Sequence, residues 1–128
     1  MKIKNIEGKV LIKVSKTDLR GANLRGANLW RANLRETNLR GADLRETDLS
    51  KTDLRGADLR EANLSRADLY KVDLNGADLW GANISGADLY KADLHEANLR
   101  GADLRRANLV GTIYCPSIFV RFLTGGLI

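Results

Sequence analysis

A five-residue period runs unbroken from residue 17 to residue 111, and it constrains the fold more than any other feature of the chain. The unit is visible in Gly21-Ala22-Asn23-Leu24-Arg25-Gly26-Ala27-Asn28-Leu29, where a small residue, an Asn or Asp, and a Leu recur in that order. Numbered from the small residue, the stretch holds nineteen pentads. Position two is always Asp or Asn, and position three is Leu everywhere except at Ile84. Position one is Ala, relaxed only to Thr17, Thr37, Thr47, Thr52 and Val72. A repeat of this kind decides the architecture before any single helix or strand is assigned.

A period of five fits neither regular element. On an α-helix, at about 100° per residue, successive Leu residues would precess around the axis, and on a flat strand an odd period would throw them alternately to opposite faces. Both arrangements leave half the Leu residues in water. A short extended piece with positions one and three pointing inward, followed by a corner, lets every pentad face one axis. The chain is therefore expected to wind as a β-solenoid.

The number of pentads per coil follows from which residues match when coils are stacked. At a lag of twenty, position four reads Arg20, Arg40, Arg60, Trp80, Arg100 on one side and Trp30, Ser50, Tyr70, Tyr90, Val110 on another, while position five gives Arg31, Lys51, Lys71, Lys91. At a lag of fifteen these columns dissolve into mixtures such as Arg20, Arg35, Ser50, Ser65, Trp80, His95. Four sides per coil is the reading, which gives just under five coils and, at about 4.8 Å per coil, a rod roughly 23 Å long.

The uninterrupted A-[DN]-L-x-x tandem resembles the pentapeptide repeat family over 95 of the 128 residues. That resemblance implies an all-β fold, a right-handed quadrilateral β-helix, in agreement with the twenty-residue lag. It also brings in the family's best-known activity, in which an acidic rod mimics DNA and modulates a type II topoisomerase such as gyrase. The chain departs from that pattern, because its repeat carries no net charge, its acidic face is short and no loop interrupts the pentads.

Composition supports one domain of three parts: an N-terminal β cap at 1–16, the β-helix at 17–111 and a C-terminal cap at 112–128. The net charge of +5 points to a nucleic acid or a membrane only until it is located. Lys2, Lys4, Lys9, Lys13 and Lys16 against Glu7 place most of it in the first cap, Arg121 supplies the rest, and the repeat balances 15 basic against 15 acidic side chains. The single Cys115 rules out a disulfide within the chain and suggests a reducing cytoplasm. The apolar run Val10-Leu11-Ile12 is too short for a signal sequence core or a membrane span, so no membrane role is expected.

Both ends read as covers for the open coils. Ile3, Ile6, Val10, Ile12 and Val14 alternate with polar residues around Glu7-Gly8, the pattern of a β-hairpin whose lysines blunt an exposed sheet edge. After residue 111 the pentad fails at Cys115-Pro116, and Ser117 is placed to cap a short helix over 118–123. Ile118, Phe119, Phe122 and Leu123 give that helix more apolar surface than a lid needs, so a homodimer contact is expected there.

Function must lie in the outward residues at positions four and five or in the two caps. One side carries Trp30, Tyr70 and Tyr90 beside Arg31, Lys51, Lys71 and Lys91, a basic aromatic stripe. Such a stripe suits stacked bases and phosphates, but Asp48, Asp68 and Asp88 share the face and weigh against nucleic acid. A protein partner anchored on Trp and Tyr fits the stripe better. A second side is acidic, with Glu36, Asp53, Asp73, Asp93 and Glu96 against Arg35 and Arg55, and the side of Leu24, Leu44, Leu64, Ile84 and Leu104 is basic by two charges. The Asp and Asn ladder itself reads as local backbone bonding at turns rather than as catalytic carboxylates, because acid–base pairs need differentiated environments and a ladder supplies equivalent ones. His95 stands alone, a poor metal ligand or triad member. The glycines fall at position five as corner residues and form no phosphate loop. The expectation is a non-enzymatic structural or protein-interaction scaffold with no cofactor and no metal. The topoisomerase modulator is the alternative, and single-stranded nucleic-acid binding a more distant one.

Overall fold

The computed structural model describes residues 2–5, 10–13 and 18–114. Throughout the repeat the backbone pairs with itself at a constant offset. Each of the sixteen parallel bridges, from Asp18–Asn38 to Asp93–Ile113, joins an Asx position to the equivalent residue twenty positions on. One coil therefore takes four pentads, and the twenty-residue lag read from the side-chain columns is the register of the backbone.

The five N–H groups of a pentad each have a separate acceptor, which explains why so short a unit can repeat without strand or helix on either side. Position one closes the corner, as in Ala22 N–H to the Leu19 carbonyl at 3.0 Å. Positions three and five donate forward to the next coil, as in Leu19 to Asn38 at 2.7 Å and Gly21 to Arg40 at 2.9 Å, while position two donates backward, as in Asp43 to Ala22 at 2.9 Å. The position-four N–H alone lacks a backbone carbonyl. At all nineteen pentads from Asp18 to Asn108 it donates to the Oδ1 of the Asp or Asn two residues earlier, at 2.9 to 3.2 Å. Both residue types offer that oxygen, so Asp and Asn interchange freely at position two.

The corner that follows has its own demand. The turn runs from position three to the next position one, and its third residue, position five, has φ between +53° and +71° in every pentad. With φ positive there alone, this is the sign pattern of a type II β-turn. Glycine fills nine of these sites, while Arg31, Glu36, Glu46, Lys51, Glu61, Arg66, Lys71, Lys91, Glu96 and Arg106 adopt the left-handed conformation at some steric cost.

Inside, the Leu and Ala columns form one continuous core from Leu19 to Ala102. Leu at position three is essentially inaccessible through the middle coils, and each is worth about 1.5 to 3 kcal/mol of burial. Two buried threonines that replace Ala keep their hydroxyls bonded: Thr47 Oγ1 donates to the Leu24 carbonyl at 3.0 Å and Thr52 Oγ1 to that of Leu29 at 2.7 Å. Each carbonyl already accepts the corner N–H, and its second lone pair takes the hydroxyl.

At the first coil, strand β1 (Lys2–Asn5) pairs antiparallel with β2 (Val10–Lys13) and with β3 (Ala27–Asn28), in the order β2-β1-β3. Lys4 faces Asn28 and Asn5 faces Ala27, so the two-stranded unit continues the sheet of the side that holds Trp30. At the other end, Leu109, Val110 and Ile113 on the last coil are exposed. The helix expected over 118–123, with Ile118, Phe119, Phe122 and Leu123, lies outside the described residues.

Candidate interaction surfaces

The corners carry the side chains free to act, because positions one to three are consumed by core, ladder and turn. Each corner stacks its position-four and position-five residues into columns, and each of the four corners has its own chemistry.

The aromatic corner is organised by ring stacking. Tyr70 and Tyr90, one coil apart, have ring centroids 5.9 Å apart at an interplanar angle of 9°. The ammonium groups of Lys71 and Lys51 lie over the Tyr70 ring at 5.2 and 5.9 Å, and that of Lys91 over Tyr90 at 5.1 Å. Trp30, half exposed, carries the Arg31 guanidinium at 5.1 Å. Between the two groups sits Ser50, buried, its hydroxyl turned back onto Asp48 Oδ1 at 2.6 Å. The structure therefore brings Lys51, Tyr70, Lys71, Tyr90 and Lys91 into one cluster and leaves Trp30 with Arg31 as a separate pair nearer β1. Trp80, also about half exposed, stands on a different corner in the arginine column of Arg60 and Arg100.

On the acidic side, several carboxylates are already engaged. Arg55 forks onto Asp53, with Nη2 to Oδ2 at 2.6 Å and Nε to Oδ1 at 2.9 Å, and the same Nε lies 3.4 Å from Asp73 of the next coil. His95 Nδ1 is 2.9 Å from Asp93 Oδ1. Glu36 and Glu96 occupy left-handed corner positions and make no ion pair among the described residues. Also among the described residues, no three His, Cys, Asp or Glu side chains gather in a way that could hold a metal ion, and no helix is long and apolar enough to cross a membrane.

The same Asp-to-Arg fork recurs at Asp43–Arg45, Asp58–Arg60 and Asp103–Arg105. In each, hydrogen bonds from the guanidinium and the coulombic attraction that goes with them hold the carboxyl below its usual range, Asp103 at about 2. A carboxyl whose folded pKa is depressed contributes stability that is present above its unfolded pKa, near 3.9, and is lost as pH falls through the folded value. The urea midpoint is therefore expected to stay level from pH 7 to about 4.5 and to fall between about pH 4 and pH 2. A midpoint unchanged down to pH 2 would show that the forks contribute nothing, as exposed ion pairs sometimes do. The Asx turns survive the titration, because a protonated carboxyl retains an accepting oxygen.

A fourth surface was not singled out from the sequence beyond its charge of +2. A groove of about 640 Å³ opens on the side of Leu24, Leu44, Leu64, Ile84 and Leu104, with the small residues Ser65, Ser85 and Gly86 in its lining. Arg25, Arg45, Arg66, Arg105 and Arg106 stand around it with Glu46. Three of these arginines are occupied: Arg25 by Glu46 at 2.9 Å, and Arg45 and Arg105 by their own aspartates at 2.6 Å. The signal in the sequence was the column Arg25, Arg45, Ser65, Ser85, Arg105, where two small residues interrupt a run of long ones and leave a hollow.

The pentapeptide repeats profile matches residues 15–50, 42–81 and 73–111 with eight copies. The chain belongs to the pentapeptide repeat family, whose members form right-handed quadrilateral β-helices. Among solved structures, it is similar to HetL, a pentapeptide repeat protein involved in heterocyst differentiation regulation from Nostoc sp. strain PCC 7120, at 40% identity over 75% of this chain and a TM-score of 0.46. The match spans 52% of HetL, about half its length. Another pentapeptide repeat protein from Nostoc is 35% identical over 78% of this chain and 86% of its own, with a TM-score of 0.49. A third, from the Arabidopsis thaliana thylakoid lumen, is 25% identical over 91% of this chain and 83% of its own, with a TM-score of 0.47. No curated protein sequence matches the chain significantly.

Proposed function

We propose that this protein is a non-enzymatic, cytoplasmic interaction scaffold that presents the aromatic corner to a protein partner. The observation that carries this reading is the Tyr70–Tyr90 stack clamped by Lys51, Lys71 and Lys91. Held by neighbouring coils, these side chains have little rotamer freedom left to lose, which lowers the entropic cost of binding. Tyrosine is one of the residue types enriched in protein-binding hot spots, and here two are fixed in that way.

Two competing readings are weaker on physical grounds. Base stacking needs an open ring face, and the faces of Tyr70 are taken by Tyr90 and by lysines. DNA mimicry needs a track of uncompensated carboxylates, whereas Asp53 is forked by Arg55 and Asp93 is bonded to His95.

The test is comparative capture from a lysate of the source organism with wild type and with Tyr70→Ser/Tyr90→Ser, both shown by circular dichroism to be folded. The expected result is a partner retained by wild type and lost, by about tenfold or more, with the variant, as suits two anchors worth at least 1 kcal/mol each. A partner held equally by both proteins would move the interaction to another corner.

A further inference from the structure

The arginine groove holds donors that the fold does not use. Arg66 and Arg106 line it without an ion pair or hydrogen bond among the described residues, although Arg25, Arg45 and Arg105 beside them are each engaged by a carboxylate. They stand at position five two coils apart, with Gly86 between them. A β-carbon at Gly86 would sit 3.6 Å from Arg66 Cγ, so the stem of the Arg66 side chain passes beside that glycine, which also lines the groove. The serines add a second asymmetry. Ser50 and Ser85 turn their hydroxyls onto Oδ1 of Asp48 and Asn83, at 2.6 and 2.7 Å, whereas Ser65 donates only its backbone N–H to the equivalent Oδ1 of Asn63.

Two guanidiniums and one hydroxyl therefore face a single hollow with their hydrogen-bonding capacity unspent. Counting the engaged pairs as neutral, the excess charge there is that of Arg66 and Arg106. We propose that this groove binds the dianion of a phosphate monoester, with Arg66 and Arg106 as fork donors and the Ser65 hydroxyl as a third contact. A phosphate monoester carries close to two negative charges at pH 7, which matches the excess charge, and three oxygens that can each accept more than one hydrogen bond from the two forks and the hydroxyl. Arginine suits the task because its planar fork engages two oxygens of one phosphate. The groove is much larger than a phosphate group and lies within the range of organic ligand sites, so the phosphate is carried on something. Among the described residues no aromatic side chain lines it, and the donors present call for a phosphate rather than a stacked nucleobase. The site belongs to a different corner from the aromatic cluster and does not depend on the role given to that cluster.

Isothermal titration tests this with two probes, O-phospho-L-serine and a seven-residue peptide centred on phosphoserine, each set against its unphosphorylated form. Arg66→Gly/Arg106→Gly is the informative variant, because glycine is the residue best suited to the left-handed position and the fold is retained. Arg20→Ala/Arg100→Ala removes the same charge from another corner. The expected result is saturable binding of a phosphorylated probe, weakened at least about 10-fold by Arg66→Gly/Arg106→Gly and less than about 2-fold by Arg20→Ala/Arg100→Ala, whose charges are screened at that distance. Arg66→Lys/Arg106→Lys, which keeps the charge and loses the fork, falls between. Binding of both probes assigns the site to any phosphate monoester; binding of the peptide alone assigns it to a phosphorylated side chain of a protein. Either supports the proposal. Equal affinity for the unphosphorylated peptide, equal weakening by the two double variants, or no saturable binding of either probe would overturn it.

Discussion

Leu64→Ala is expected to lower the unfolding free energy by about 3 to 5 kcal/mol, the range for removing a fully buried leucine from a site that cannot collapse. Leu64 is inaccessible to solvent and is flanked in its column by Leu44 and Ile84, in coils fixed above and below by ladder hydrogen bonds. Those bonds keep the coil spacing constant, so the cavity left by the missing carbons cannot close. Each coil also contacts only its two neighbours, and a fault in the middle uncouples both halves. At Leu109, on the last coil and 39% exposed, the same change should cost less than about 1 kcal/mol. Urea unfolding of the two variants measures the contrast. Equal losses at both sites would mean that the core does not carry the rod.

Gly76→Pro should be comparably damaging for a different reason. Gly76 has φ of +69°, opposite in sign to the value near −65° that the proline ring imposes, and its N–H donates to the His95 carbonyl at 2.8 Å. The substitution removes that bond and forces the corner open, at a cost of about 3 kcal/mol or more. Gly76→Ala isolates the conformational part, since nothing lies within 4 Å of the added carbon and the bond is kept. Its expected cost is about 1 to 2 kcal/mol. A Gly76→Pro protein as stable as Gly76→Ala in a urea titration would show that position five is not the corner described above.

The fold was legible in the sequence because every repeated residue has one structural task. Leu at position three names the core, and the choice of Asp or Asn at position two follows from a single oxygen that accepts one N–H. Position five was harder to read, because glycine marks the left-handed corner only where it occurs, and the ten charged residues there give no conformational signal. The outward chemistry was half legible. The Tyr and Lys columns announced themselves as ladders, since like residues stacked at a lag of twenty meet face to face. The acidic side read as a net charge but hid its pairing, because a fork between Asp53 and Arg55 depends on rotamers. The arginine groove was missed as a site for a related reason: a hollow is made by what Ser65, Ser85 and Gly86 lack, and a charge count does not register missing volume.

Both proposed surfaces exist only if the chain advances one coil every twenty residues, since a different register would scatter the aromatic column and fill the hollow. The distance between spin labels at residues 20 and 100, in a background carrying Cys115→Ser, tests that register directly. Both sites are exposed and belong to the same position-four column, four coils apart. Double electron–electron resonance should give a single distribution centred near 19 Å, four coil spacings of about 4.8 Å. A distribution centred near 26 Å, as three pentads per coil would give at the same spacing, would contradict the four-sided rod and both surfaces built on it.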